Sequence, residues 1–119
     1  MTNTPPDYGV RTFAFACDIV HLYKALTNIH GFPIGIARQI LKAGTSIGAN
    51  IEEGRAPSSR RDLTAKFAIA LREARETNYW LRLIRATDLA PAKLTDALVS
   101  AADELVAILT VSVRNLRAG

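Results

Sequence analysis

Three polar side chains, Ser46, Asn50 and Glu53, are spaced so that they fall on one side of a helix. They run beside a stripe of apolar residues at steps of three and four, typical of a helix face that packs into a core: Ile36, Ile40, Ala43, Ile47 and Ile51. With Glu76 from a later segment, they could line a binding pocket. They could instead form a buried polar network that fixes how two helices align. Because only acids and amides converge, without a suitable general base, we favour the structural network.

Other residue types that could do chemistry lack the partners that the chemistry needs. Glu73-x-x-Glu76 and Asp18-x-x-His21 suggest a carboxylate-rich metal site in a helical bundle. Such sites use a Glu-x-x-His motif on each of two helices, and the sequence contains none. Cys17 stands one turn before His21, but in an apolar stripe, where a thiol usually serves packing rather than nucleophilic attack. We therefore expect no enzymatic activity, no metal and no cofactor.

Composition limits the cellular setting and the class of partner. A chain of 119 residues is long enough for one domain with a single core, and its one cysteine fits a reducing cytosol. Residues 1–9 are polar and contain two prolines, unlike a signal peptide, and we find no transmembrane segment. The sequence thus predicts a cytoplasmic protein without membrane contact. Its net charge of +4 permits a nucleic-acid partner without requiring one.

The hydrophobic pattern predicts four helices and no strands. After a disordered leader over residues 1–9, we expect one domain over 10–117, with helices at about 10–29, 34–55, 60–86 and 91–116. Ser59 is the predicted N-cap of the third helix, and Pro91 suits the first position of the fourth. Short turns make consecutive helices antiparallel, so the expected fold is all-α: an up-down-up-down four-helix bundle.

Two motifs resemble a known bacterial family. Residues 46–54, S-I-G-A-N-I-E-E-G, resemble the S-I-x-x-N-I-A-E-G signature of the four-helix-bundle proteins also known as 23S rRNA intervening-sequence proteins. Residues 73–81, E-A-R-E-T-N-Y-W-L, resemble that family's E-A-x-E-T-x-Y-W-L run. The resemblance implies a four-helix bundle that assembles into a ring-shaped homopentamer. It also implies an association with ribosomal RNA genes, and it implies no established enzymology.

Extra apolar surface on the first and last helices predicts self-association. A second stripe on the first helix comprises Val10, Phe13, Cys17 and Val20. Two apolar stripes likewise mark the last helix, and an oligomer interface is predicted on the second of them, at Val99, Val106, Leu109 and Val113. A monomer with both faces uncovered would expose an unusually large apolar patch. A monomer whose second stripes merely flank the core is the alternative.

Arginines converge on one end of the predicted bundle. The chain start, the second interhelical loop and the chain end share that end, which places there Arg55, Arg60, Arg61, Arg114 and Arg117. The sequence predicts nucleic-acid binding by these residues, to the backbone of RNA or DNA, with the charge multiplied in a cyclic oligomer. The alternative is an interaction scaffold whose basic rim meets an acidic partner protein without touching nucleic acid.

Overall fold

Four α-helices make up most of the molecule. The computed structural model describes residues 7–56 and 59–119. Within them lie α1 (Tyr8–Thr27), α2 (Ile34–Gly54), α3 (Arg60–Ala86) and α4 (Asp96–Ala118), with a 3₁₀ turn at Ala92–Leu94 before α4. No strand occurs in the described part of the chain. The all-α class predicted from the hydrophobic pattern is therefore confirmed.

Consecutive helices run antiparallel in a bundle of 48 × 21 × 20 Å. Ion pairs mark the directions, because Asp7 at the start of α1 meets Arg55 after the end of α2, and Arg85 near the end of α3 meets Asp96 at the start of α4. α2 and α3 pack against each other along their lengths, α1 covers α2, and α4 covers α3. α1 and α4 are neighbours, as predicted, but they approach closely at only a few points. An open groove, floored by Phe15, Leu22, Leu98 and Leu105, separates them.

Three helix ends differ from the prediction. α1 begins at Tyr8, because Asp7 caps it by accepting a 2.8 Å hydrogen bond from the amide of Gly9, so the end of the predicted leader is ordered. Residues 1–6 lie outside the described residues. α1 ends at Thr27, two residues early. Pro91 precedes the 3₁₀ turn instead of opening an α-helix. The predicted cap of α3 is confirmed: the Ser59 hydroxyl accepts a 3.1 Å bond from the Asp62 amide.

Close contact between α1 and α2 depends on glycine. A methyl group at Gly44 would lie 2.7 Å from Cγ1 of Ile19, a fully buried side chain. At Gly48 it would lie 3.2 Å from the backbone oxygen of Thr12. These two positions let the α1 backbone come nearer to α2 than any larger residue allows. Ile40, Ile47 and Ile51 continue the contact into the core that all four helices share.

The predicted polar network of Ser46, Asn50, Glu53 and Glu76 does not form. Ser46 donates to the carbonyl of Lys42, and Asn50 to that of Ser46, so both bonds stay within α2. Glu53 is exposed and pairs with Lys66 at 2.9 Å. Glu76 accepts a bond from the indole of Trp80 on its own helix. None of the four is buried, because they border the α2 and α3 contact instead of entering it.

Asn78 provides a polar link between α3 and α4, whereas the predicted network was expected to align α2 with α3. It is only 9% exposed, and its amide donates a 2.8 Å bond to Asp103 on α4. Its carbonyl oxygen accepts a 2.8 Å bond from Nε of Arg82. This three-residue chain fixes how α3 and α4 align, because a slide along either helix would break the Asn78–Asp103 bond.

Replacing Asn78 should therefore destabilise the fold more than replacing Asn50. We expect Asn78→Ala to lower the free energy of unfolding by about 1–3 kcal/mol, because Arg82 and Asp103 both lose a partner. Asn50→Ala should cost about 0.5 kcal/mol or less, since only a bond within one helix is lost and alanine favours helix. Urea unfolding followed by circular dichroism measures both. An equal loss for the two variants would contradict the link between α3 and α4.

Candidate nucleic-acid interface

The fold brings five predicted arginines to one end of the bundle. The start of α1, the end of α2, the start of α3 and the end of α4 meet there, because the helices alternate in direction. Arg55 follows α2, Arg60 and Arg61 open α3, and Arg114 and Arg117 lie in the last turns of α4. All five are exposed. The sequence-based placement of these side chains at a common end agrees with the helix order; the binding assigned to them stays a prediction.

Arg55 differs from the other four arginines because it forms an ion pair with Asp7. Its guanidinium donates a 2.7 Å hydrogen bond to the Asp7 carboxylate and lies 6.0 Å from the centre of the Tyr8 ring. That bond from Arg55, with a second from the amide of Gly9, holds the pKa of the Asp7 carboxyl below its usual value. We conclude that Arg55 mainly fastens the start of α1 to the end of α2.

Tyr8 anchors the same corner of the bundle from inside. Its ring is buried and meets Phe67 of α3 edge to face, with ring centres 5.7 Å apart. Its hydroxyl hydrogen-bonds to Ser112 of α4 and lies 3.4 Å from the carbonyl oxygen of Ile108. The sequence offered no signal for this contact, because the partners lie about a hundred positions apart.

The other four arginines have no carboxylate within 4.0 Å among the described residues. Arg60 reaches across to α4, where its guanidinium lies 3.4 Å from the Leu116 carbonyl, one of the unsatisfied acceptors at a helix end. Arg60, Arg61 and Arg117 border a shallow groove of about 490 Å³ whose floor includes Ala65 and Leu116. Four acids also lie near this end: Asp7 and Glu53, which are paired with Arg55 and Lys66, and Glu52 and Asp62, which are in no ion pair of the described part of the chain. Its net charge is therefore positive.

Most of the residues predicted to form an oligomer interface on α4 are buried within one chain. Val99, Leu109 and Val113 are 5%, 0% and 3% exposed within one chain, so they belong to its core. Val106 is half-buried and packs against that core. The prediction is corrected for Val99, Leu109 and Val113, which pack inside the bundle, and it stays a prediction for Val106.

The second stripe of α1, in contrast, faces outward. Val10 is 67% exposed, Phe13 is 70% exposed, and Val20 and Cys17 are exposed as well. Cys17 is therefore not a packing residue within one chain, contrary to expectation. Beside Phe13 lies a notch of about 230 Å³ between α1 and α2, lined by Gly9, Ala16, Gly48 and Ala49 among others. The two most exposed large apolar side chains, Val10 and Phe13, thus lie on α1 beside this notch.

Two further features concern metal and membrane. Within residues 7–56 and 59–119, no three His, Cys, Asp or Glu side chains converge in a way that could hold a metal ion. None of the helices described combines the length and the hydropathy that a bilayer-crossing segment needs.

Comparison with known proteins agrees with the four-helix fold. A search of curated proteins finds no match. A crystal structure of a protein of unknown function from the S23 ribosomal protein family of Bacteroides thetaiotaomicron is similar, with 37% sequence identity and a TM-score of 0.82. The match covers 89% of this chain and 97% of that one. The family model described as 23S rRNA-intervening sequence protein matches residues 10–111. The chain is therefore a member of the 23S rRNA-intervening sequence protein family.

Proposed function

We propose that this protein is a non-enzymatic homo-oligomer that binds the backbone of RNA or DNA through its basic end. The observation that carries the proposal is that the helix order gathers five arginines at one end of the bundle, of which only Arg55 is in an ion pair within the part of the chain that the structure describes. In the described residues, the ion pairs engage Arg11, Arg55, Lys66 and Arg85. Arg60, Arg61, Arg114 and Arg117 remain without such partners at one end. The family's description, which refers to 23S rRNA, supports a nucleic acid over other anions.

Arginine suits this role because its guanidinium can donate two hydrogen bonds to one phosphate. Among the residues that the structure describes, the basic end has no helix shaped to enter a groove and no aromatic platform that would distinguish bases. Contacts should therefore be mostly to phosphates. Affinity should depend little on sequence and fall steeply with salt, by about 0.7–0.9 log units per log unit of salt for each phosphate neutralised.

We propose further that the protein assembles into a pentameric ring through the α1 stripe. Exposed Val10, Phe13 and Val20 form an apolar surface that an isolated chain leaves in water. The notch beside Phe13 has room for an apolar side chain of a neighbouring copy, since cavities of about 150 Å³ accept benzene. A ring would place several basic ends on one side and so multiply contacts with a long polyanion.

Charge reversal at the basic end tests nucleic-acid binding. Arg60→Glu with Arg61→Glu should weaken binding to RNA and DNA by more than about tenfold in about 50 mM salt, because two phosphate contacts become repulsive. The matched control is Arg38→Glu with Lys93→Glu, the same charge change on exposed residues at the opposite end. Filter binding measures affinity, and a melting curve checks that loss of the Arg60 bond to α4 leaves the fold intact.

Two outcomes would contradict that proposal. Equal losses for the two double variants would show that binding does not use the basic end. Absence of any complex between the wild-type protein and nucleic acid would favour the acidic partner protein as the ligand of the same arginines.

Neutralising Asp7 should have the opposite effect on binding. Asp7→Asn removes the carboxylate that pairs with Arg55, so the affinity for nucleic acid should rise. The slope of log affinity against log salt concentration should steepen by about 0.7–0.9, because Arg55 can then neutralise one further phosphate. The helix should remain stable, because asparagine caps helices about as well as aspartate. Salt titrations of the wild type and the variant provide the measurement. An unchanged slope would mean that Arg55 makes no contact with the nucleic acid.

The oligomer is tested on α1. Phe13→Glu should dissociate the assembly while the helical content is kept, because Phe13 is 70% exposed in one chain but would bury an unpaired charge in an interface. Ile34→Glu is the matched control, since Ile34 is an exposed apolar residue at the opposite end of the bundle. Light scattering after size-exclusion chromatography gives the mass. A wild-type monomer at micromolar concentration would refute the assembly.

A further inference from the structure

The outer face of α3 carries a second basic feature that extends away from the basic end. Residues at steps of four and three fall within one narrow arc of the helix: Arg61, Ala65, Ala68, Arg72, Arg75, Tyr79 and Arg82. Four of these seven are arginine, and none is acidic. The arc spans 22 residues, or about 32 Å along the helix. We call it the α3 track.

The middle of the track is exposed to solvent, and its arginines form no ion pair within the described part of the chain. Arg72 and Arg75 are exposed, and no carboxylate lies within 4.0 Å of either among the described residues. Tyr79 is 50% exposed, although the side chains next to it in sequence, Asn78 and Trp80, are buried or half-buried. An exposed aromatic side chain flanked by arginines offers a ring face to a ligand that carries negative charge.

The ring of Tyr79 is held in a fixed position. Its centre lies 5.2 Å from that of Trp80, with the ring planes at 75°. Trp80 is itself fixed by a 3.1 Å hydrogen bond from its indole to Glu76. The edge-to-face contact therefore positions the Tyr79 ring while leaving much of it accessible.

Two acids beside the track already have partners. Glu76 accepts the Trp80 bond on one side, and Asp103 of α4 accepts the Asn78 bond on the other. At the far end, Arg82 is tied to Asn78 by a 2.8 Å hydrogen bond. At the near end, Arg61 and Ala65 also line the groove shared with Arg117. The track thus continues from the basic end and ends at Arg82.

From this arrangement we propose that the α3 track binds a single strand of nucleic acid, with Arg72 and Arg75 on its phosphates and one base stacked on Tyr79. The proposal rests on the function proposed above and specifies the form of the ligand. Stacking on an aromatic side chain needs an unpaired base, because in a duplex the base faces are covered by their neighbours. A positively charged path with aromatic platforms is the common arrangement of proteins that bind single strands without sequence preference.

The fluorescence of Trp80, the only tryptophan of the chain, can be used to detect a base that stacks on Tyr79. Trp80 touches Tyr79, so a base that stacks on Tyr79 should change the fluorescence of Trp80. The probes are an oligouridylate of about 15 nucleotides, a length within the range of single-strand sites, and an RNA duplex of the same length. Each is titrated into the wild type, Tyr79→Phe, Tyr79→Leu, and the double variant Arg72→Glu with Arg75→Glu.

The single strand should bind more tightly than the duplex, and only the single strand should change the fluorescence of Trp80. Tyr79→Leu should weaken single-strand binding by about 5- to 100-fold, the range for loss of one stacked base, and should leave duplex binding unchanged. Tyr79→Phe should bind the single strand with wild-type affinity because the aromatic ring is kept. Arg72→Glu with Arg75→Glu should also act mainly on the single strand. The control with Arg38→Glu and Lys93→Glu should affect neither ligand.

Failure of this inference is distinguishable from failure of the proposed function. If single strand and duplex bind equally, and Tyr79→Leu changes neither affinity, the α3 track is wrong while binding at the basic end stands. If Tyr79→Leu and Tyr79→Phe weaken binding equally, the hydroxyl and not the ring face makes the contact, and stacking is refuted. If neither nucleic acid binds to the wild type, the proposed function fails, and the track, which rests on it, fails with it.

Discussion

The close approach of α2 to α1 is the contact on which the rest of the structure depends. At Gly44 the α2 backbone comes so near that a single methyl group would overlap Ile19, and at Gly48 it would press on the backbone of Thr12. Protein interiors are packed too densely to absorb such a group without movement of a helix. Two glycines inside a helix lower its intrinsic stability by about 1 kcal/mol each, so this contact must offset that cost through burial of Ile19, Ile40 and Ile47.

The close packing of α1 on α2 determines what the other two faces of α1 contact, one toward α4 and one toward solvent. α1 stands away from α4 over most of its length, which leaves the open groove and explains why α4 buries its apolar arc chiefly against α3. It also turns Val10, Phe13 and Val20 away from the core. The apolar surplus that the sequence showed on two helices is thereby resolved differently for each: α4 uses it inside the chain, and α1 presents it to solvent.

Periodicity and turn chemistry predicted the four helices, the cap at Ser59 and the end of the bundle at which the arginines gather. These features depend on short spacings along the chain, which sequence patterns express directly. Pairings across long separations were missed. Nothing near Asp7 in sequence indicates Arg55, and nothing near Asn78 indicates Asp103. For the same reason, the second apolar stripe on α4 was assigned to an interface, although Val99, Leu109 and Val113 are buried within the chain.

The distinction between engaged and open arginines follows from these pairings and not from composition. Eleven arginines are spread over all four helices and the segment after α2, and a net charge of +4 by itself predicts only weak attraction to polyanions. What matters is that acids on α1, α2 and α4 neutralise Arg55, Lys66 and Arg85, whereas the start and the outer face of α3 have no such partner in the described residues. Of the arginines outside the ion pairs of the described residues, all but Arg38 lie on α3 or in the last turns of α4. A ligand that follows charge would meet the basic end and the α3 track as one continuous surface, because Arg61 belongs to both.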